Sequence, residues 1–440
     1  MNKAKLSKLW DSLRSSYWFV PTVMAIATIA LASITLALDR TSRVEVGNLT
    51  WIYTGGPDGA RALLSAVAGS MVSVAATAFS ITIVALQLAS SNFGPRLLRN
   101  FMQDTGNQFV LGTFISTFIY SLLILRTIRG ENYNFFVPEL SITIGIILAI
   151  FSIGVLIYFI HHASTIIQVS HVIESVSTDL DHAINRLFPE KLGQGKPELT
   201  TQAGDVPDSF DLEACPVSAT DEGYLQAIDN GKVMGIAQRH DLLLRIKSRP
   251  GKFVVKDSDL VLVSPKERID PKLADEIVNT FVLGRERTEQ QDIEFPINQL
   301  VEIALRALSP SMNDPFTAIR CIDRLSAALS RLAQRQFPSP YRYDDEQKLR
   351  VIVDPVTFEM LIDDAFNQIR QSSKTDVAVT IRLLEALALI ASYTHDADYH
   401  AVLRRHADMI KRGSKQLSEP WDCHDIEERY QMILESLRQS

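Results

Sequence analysis

Hydrophobic and polar positions follow two different patterns along this chain. Up to residue 160 they form blocks. Uncharged apolar stretches at 17–38, 62–89, 108–125 and 140–160 are separated by short polar connections. A hydrocarbon core of about 30 Å needs roughly 20 helical residues, so each stretch is predicted to cross a membrane as a helix. The second is over-long and must tilt or project from the bilayer. Tyr17 and Trp18 open the first span and Tyr158 closes the last, where aromatic belts sit. The first apolar core is too long for a signal peptide and no A-x-A site follows it, so it reads as an uncleaved helix.

Beyond residue 160 the period changes. Ile166, Val169, Ile173, Val176, Leu180, Ala183 and Leu187 recur at steps of three and four. This heptad seam predicts a connecting helix over 161–189 that leaves the last span and packs on its own domain or on a neighbouring subunit. Pro189 and the stretch 190–210 read as a linker. Short β-prone runs between Gly, Asp and Pro at 211–266 predict a small β module, a barrel or sandwich. Helical periodicity dominates 270–440. The expected fold class is therefore an α-helical membrane protein: four transmembrane helices, then a cytoplasmic β module and an α-helical domain.

Charge supports that division. The chain carries a formal charge of −7. Residues 1–160 hold 11 Lys/Arg against 7 Asp/Glu, and residues 161–440 hold 33 against 44. A basic apolar front and an acidic back suit a membrane domain followed by a soluble one. The acidic back also argues against a nucleic-acid partner. Lys3, Lys5, Lys8, Arg14, Arg96 and Arg99 fall on one side of the four spans, and Arg40, Arg43, Arg61, Arg126 and Arg129 on the other. With the first tail dominating this narrow margin, both termini are expected in the cytoplasm. Cys215, Cys321 and Cys423 form no C-x-x-C pair, which fits a reducing compartment.

Candidate chemistry is sparse. The chain has no G-x-x-x-x-G-K-S/T, H-E-x-x-H or G-x-S-x-G motif, which argues against nucleotide-driven transport and the commoner hydrolases. No metal or cofactor set is apparent, because His395, His400 and His406 contain no i, i+4 pair and His161 and His162 read as interfacial. No span has a charge in its interior, which weighs against a transporter built on a buried carboxylate.

The second span is more informative. Ser70, Ser73, Thr77, Ser80, Gln87 and Ser91 share one helical face, interrupted only by Val84. Thr113, Ser116, Thr117 and Tyr120 echo it in the third span. Hydroxyl residues are the usual packing face of membrane helices, and the same groups can replace part of an ion's hydration shell along a water-lined path. Both readings stand on sequence alone. Arg96 and Arg99, beside the turn signal Gly94–Pro95, read either as headgroup anchors or as a positive inner mouth. In "ALSPSMNDPFTAIR" at 307–320, Asp314 before Pro315 is a well-formed helix start. The alternative there is that Ser309, Asn313 and Asp314 face a ligand at the helix N-terminus.

Three stretches taken together carry a resemblance: "FSITIVALQLASSNFGPRLLRNFM" with "LRTIR" closing the third span, "GYLQAID" in the β module, and "RTEQQDIEFPINQLVEIALRALSPSMNDPFTAIRCIDRL". The chain resembles, over nearly its whole length, a widespread family of bacterial predicted inner-membrane proteins known only by a domain-of-unknown-function label. Gly94 stands where that family often has serine, and Ser311–Met312 where Gly-Ile is usual. The resemblance implies a four-span protein of the bacterial inner membrane with a cytoplasmic C-terminal region, and it implies no activity.

The residues themselves suggest a homo-oligomeric, channel-like pore lined by the second spans and gated by the cytoplasmic domain. Its partners would be the lipid bilayer and an inorganic ion. The rival reading is a non-conducting scaffold or sensor that binds partners through the cytoplasmic domain.

Overall fold

The computed structural model describes residues 16–41, 53–94, 104–129, 136–166, 168–188, 206–207 and 210–439. The chain divides into two compact units, one ending at His171 and one beginning at Val172.

The described residues of the first unit form four helices: α1 (Phe19–Arg40), α2 (Pro57–Phe93), α3 (Thr105–Leu125) and α4 (Glu139–Ile166). Each is long and apolar enough to cross a membrane. Helix α3 is the hub, with 61% of its apolar window buried against 17–33% for the others. Ala32 of α1, Leu64 of α2, Tyr120 and Ile124 of α3, and Ile142 of α4 form one apolar cluster. Met71, Ala78, Val110, Phe114 and Phe159 form a second. Close approach of α1 to α3 depends on Gly112, where a Cβ would lie 2.5 Å from Met24 Sδ and 3.3 Å from Pro21 Cα. Small residues bring membrane helices into contact because lipid offers no hydrophobic drive between them. Helix α2 runs 37 residues, about 55 Å at 1.5 Å per residue, so it exceeds the hydrocarbon core.

The second unit begins in α5 (Val169–Leu187). The seam predicted a helix continuous with the last span. Instead α4 ends at Ile166, and the Gln168 and His171 amides donate three residues back, to Thr165 and Gln168, ending the i−4 ladder. Ser164 and Thr165 donate their hydroxyls to the carbonyls of Ile160 and His161 just before the break, a back-bonding that bends helices.

The other helices of this unit are α6 (Phe210–Glu213), α7 (Asn230–Arg239), α8 (Pro271–Val278), α9 (Glu294–Ala307), α10 (Pro315–Ala333), α11 (Phe358–Ser372), α12 (Val377–Ala391), α13 (Ala397–Gly413) and α14 (Pro420–Gln439). The seam of α5 is buried through Val172, Ile173, Val176, Leu180, Ala183 and Ile184. Its polar flank pairs with α10 of the same unit, Glu174 with Arg324 and Asp181 with Arg331.

Strands are β1 (Cys215–Ser218), β2 (Gly223–Ile228), β3 (Leu243–Ile246), β4 (Phe253–Val254), β5 (Asp259–Ser264), β6 (Phe281–Gly284), β7 (Tyr341–Tyr343) and β8 (Leu349–Ile352). They form a five-stranded sheet, β1-β5-β3-β8-β7, and a three-stranded one, β4-β2-β6. Among the described strands only β3 and β8 pair in parallel. The sheets thus take in strands from outside the predicted 211–266 stretch, β6 and the β7–β8 hairpin. One core of Leu225, Val233, Ile236, Leu244, Val263 and Ile277 lies beneath them. Asp314 caps α10 before Pro315, where the sequence signal places it, and Asp270, Asp376 and Asp396 cap α8, α12 and α13 in the same way.

Candidate functional site

Helix α2 presents two unlike faces. Its buried face is alanine-rich: Ala60, Leu64, Ala68, Met71, Ala78, Thr82, Ala85 and Ala89. The opposite face carries Ser70, Ser73, Thr77, Ser80, Gln87 and Ser91, all exposed, with Val84 between them. Packing within the chain therefore does not use the polar stripe. Each stripe hydroxyl donates to a carbonyl of its own helix: Ser70 to Val67, Ser73 to Gly69, Thr77 to Ser73, Ser80 to Ala76 and Ser91 to Leu88, at 2.9–3.1 Å. Gln87 differs, its side-chain amide having no partner among the described residues.

The echo in α3 is internal. Thr113, Ser116, Thr117 and Tyr120 are all buried. Thr117 Oγ1 and Ser152 Oγ of α4 share a hydrogen bond of 2.9 Å. The Tyr120 hydroxyl donates to the Ser141 carbonyl at 3.0 Å and lies 3.1 Å from Thr35 Oγ1 of α1. Thr117 and Tyr120 therefore join helices within one chain, and the stripe hydroxyls of the second span do not; Thr113 bonds the Phe109 carbonyl of its own helix at 2.9 Å.

The two ends of the bundle are pinned by carboxylates that the apolar pattern does not reveal. At one end, Asp39 accepts from the Leu140 and Ser141 amides and from the Ser141 hydroxyl at 3.1, 3.0 and 2.5 Å, so α1 caps the start of α4. At the other, Asp104 caps α3 by accepting from the Gly106 amide at 3.0 Å and meets His162 Nε2 at 2.6 Å. The Tyr158 ring stacks on that imidazole with centroids 5.3 Å apart. Gly106 leaves the space for this, since a Cβ there would fall 2.7 Å from His162 Nε2. His162, read as interfacial from sequence, is thus a link between two spans. Arg96 and Arg99 lie outside the described residues.

In the second unit the loop 309–314 is a tight helix-to-helix connection. The Met312 and Asn313 amides both donate to the Ser309 carbonyl, and the Asp314 amide donates to Ala307. Asn313 takes the left-handed turn conformation at φ 47°, which asparagine tolerates. Both oxygens of Asp314 serve the helix start, accepting from the Thr317 amide at 3.1 Å and its hydroxyl at 2.6 Å. Ser309 Oγ donates to the Arg306 carbonyl at 2.6 Å. Helix capping thus engages the Asp314 carboxylate, one of the three groups that the ligand alternative named. Beside them Phe316 is 76% exposed. Among the described residues no group of three His, Cys, Asp or Glu side chains could hold a metal.

Sequence reasoning did not single out the charged core formed by "RTEQQDIEF". Glu294 meets Arg249 at 2.7 Å and Lys252 at 3.5 Å, and Asp292 meets Arg287 at 2.7 Å, with both carboxylates nearly sealed from solvent. Burial opposes the ionisation of Glu294, yet Arg249 and Lys252 hold its pKa below the usual value. Asp364, beside Glu294, is pushed up to about 6 by burial and by that carboxylate. The Gln291 amide donates to and accepts from Ile228 at 3.0 Å each way, standing in for a strand partner at the end of β2. The only signal for this cluster was three acids, Glu289, Asp292 and Glu294, within seven residues of Arg287, a spacing that surface helices also show.

Four membrane-length apolar helices followed by a mixed unit of small sheets and helices define a polytopic α-helical membrane protein. The chain belongs to the family described as Predicted membrane protein (DUF2254), whose profile matches residues 14–389. It is 30% identical over 412 residues to the uncharacterized protein Rv1290c of Mycobacterium tuberculosis and to the uncharacterized protein Mb1321c of Mycobacterium bovis. Those alignments cover 92% of this chain and 77% of each relative. No solved structure matches it.

Proposed function

We propose that this protein is a homo-oligomeric, channel-like pore of the bacterial inner membrane, without enzymatic activity, whose second spans face one another. The carrying observation is that Ser70, Ser73, Thr77 and Ser80 point away from the chain's own bundle, while the hydroxyls of the third span point into it. A polar stripe is a poor face for lipid and a good one for water or a second copy. Gln87 extends the stripe with an amide that has no partner among the described residues, and an unpaired amide costs free energy wherever water is excluded. In this reading both termini and the C-terminal unit lie in the cytoplasm, the unit gates the path, and an inorganic ion is the permeant. Arg96 and Arg99 would shape the inner mouth.

One observation favours the rival, a non-conducting scaffold or sensor. Every stripe hydroxyl is already bonded to its own helix, which lets such a face meet lipid or another helix without water. Ion flux through the purified protein in liposomes and planar bilayers separates the two. The pore reading expects wild-type current that Ser80→Leu and Gln87→Leu each abolish in well-folded protein. Silence from the wild type across ions and voltages, or unchanged current in both variants, sinks it.

A further inference from the structure

The second unit holds a cleft where α11 ends, α12 begins and α13 ends. Arg370, Ser373, Lys374, Thr380 and Ser414 line it; its enclosed part is only about 10 Å³, and the open mouth brings the space to about 240 Å³. Leu383 and Ile410 provide apolar walls. Residues 172–440 carry 44 acids against 33 Lys and Arg, yet no carboxylate lines this cleft.

Its cations form no ion pair among the described residues. Arg370 Nε is sealed from solvent with no hydrogen-bond partner among the described residues. The guanidinium's one side-chain contact is a long one, 3.4 Å to Asn367 Oδ1. Burial, and then the like charge of Arg412, hold its pKa below the ordinary guanidinium value. Lys374 and Arg412 have no ion-pair partner among the described residues. The carboxylate nearest in effect, Asp363, is already engaged by Arg405 and His406. The Ser373 side chain is 1% exposed, and its hydroxyl has no hydrogen bond to a described residue. Cations do favour helix C-termini, and Arg370 and Arg412 sit in last turns. That preference explains neither a guanidinium nitrogen sealed off without an acceptor nor an acid-free cleft in an acidic unit.

We propose that this cleft binds a phosphate-type oxyanion, either a free phosphate group or the headgroup of an anionic phospholipid. The Arg370 fork and the Lys374 ammonium would donate charge-assisted hydrogen bonds to its oxygens, with Ser373 as a neutral third donor. The inference is independent of whether the spans conduct.

The test is calorimetric titration of the full-length protein in phosphatidylcholine nanodiscs, with inorganic phosphate and with soluble dihexanoyl phosphatidate as separate probes. At least one probe binds, and Arg370→Gln and Lys374→Gln each weaken it about tenfold. Lys272→Gln, an exposed cation elsewhere in the unit, leaves it unchanged. Binding of both probes in competition identifies the phosphate group alone as sufficient. Binding of phosphatidate alone identifies a lipid headgroup. Lys374 is exposed, so its variant decides the matter even if Arg370→Gln fails to fold. Binding of neither probe, or binding that survives the Lys374 substitution unchanged, overturns the proposal.

Discussion

Asp39, at the end of the first span, caps the fourth span through Ser141, accepting both its amide and its hydroxyl at 3.0 and 2.5 Å. The two residues are 102 positions apart. A helix that starts near a bilayer leaves its first amides without intrahelical acceptors, and here a neighbouring span supplies the acceptor. Removing the carboxylate by Asp39→Ala should therefore cost about 1–3 kcal/mol, the range for leaving buried donors unpaired. Asp39→Asn, which keeps one acceptor oxygen, should cost less. Thermal unfolding of the purified variants checks the order, and equal midpoints for Ala, Asn and wild type would remove the cap from the account.

Gly112 makes a steric prediction. A methyl group there meets the flexible end of Met24 first and the Pro21 backbone next. Gly112→Ala should cost about 1–3 kcal/mol, as overpacked sites do, and Gly112→Leu should prevent α1 from docking. Protease accessibility of the first span in detergent reads this directly. Gly154 offers the control, since a Cβ there meets nothing within 4 Å.

Solvent access distinguishes the two hydroxyl stripes. Cysteines at Ser73, Thr77 and Ser80 should react with a membrane-impermeant thiol reagent if water reaches the stripe, or cross-link to a second copy if the stripe is an interface. Thr117→Cys should do neither, because Thr117 is 1% exposed and bonded to Ser152. Reaction at residue 117 equal to that at residue 77 would contradict the orientation of α3.

The carboxyl pair in the second unit predicts a pH dependence. Asp364 titrates near 6 in the folded chain against an ordinary 3.8, so folding takes up a proton there. Its contribution is fully present below about pH 4 and is lost as pH rises through 6. Glu294 runs the other way: its lowered pKa contributes stability above its ordinary 4.5 that is lost as pH falls through the folded value. Asp364→Asn should therefore flatten the stability profile between about pH 4 and 6. It should also raise the thermal midpoint at pH 7.5. Glu294→Gln should lower that midpoint by orphaning Arg249, whose Nε already lacks an acceptor. Midpoints measured from pH 4 to 8 decide both.

The sequence by itself determined the four membrane-length helices, the helix start at Asp314, and the apolar face of α5. These follow from local rules: span length against bilayer thickness, a capping side chain one residue before a helix, and a period of three and four along it. Tertiary structure alone decided which hydroxyl stripe faces inward, because Ser80 and Thr117 are chemically alike and only the packing of Leu64, Phe114 and Tyr120 tells them apart. It also decided that β8, some hundred residues on, lies parallel to β3 in the sheet. It likewise brings the charge of Arg412, on α13, to bear on Arg370 of α11. Periodicity describes one element's faces. What covers each face depends on chain closure over long separations, and a single sequence does not carry that information in local form.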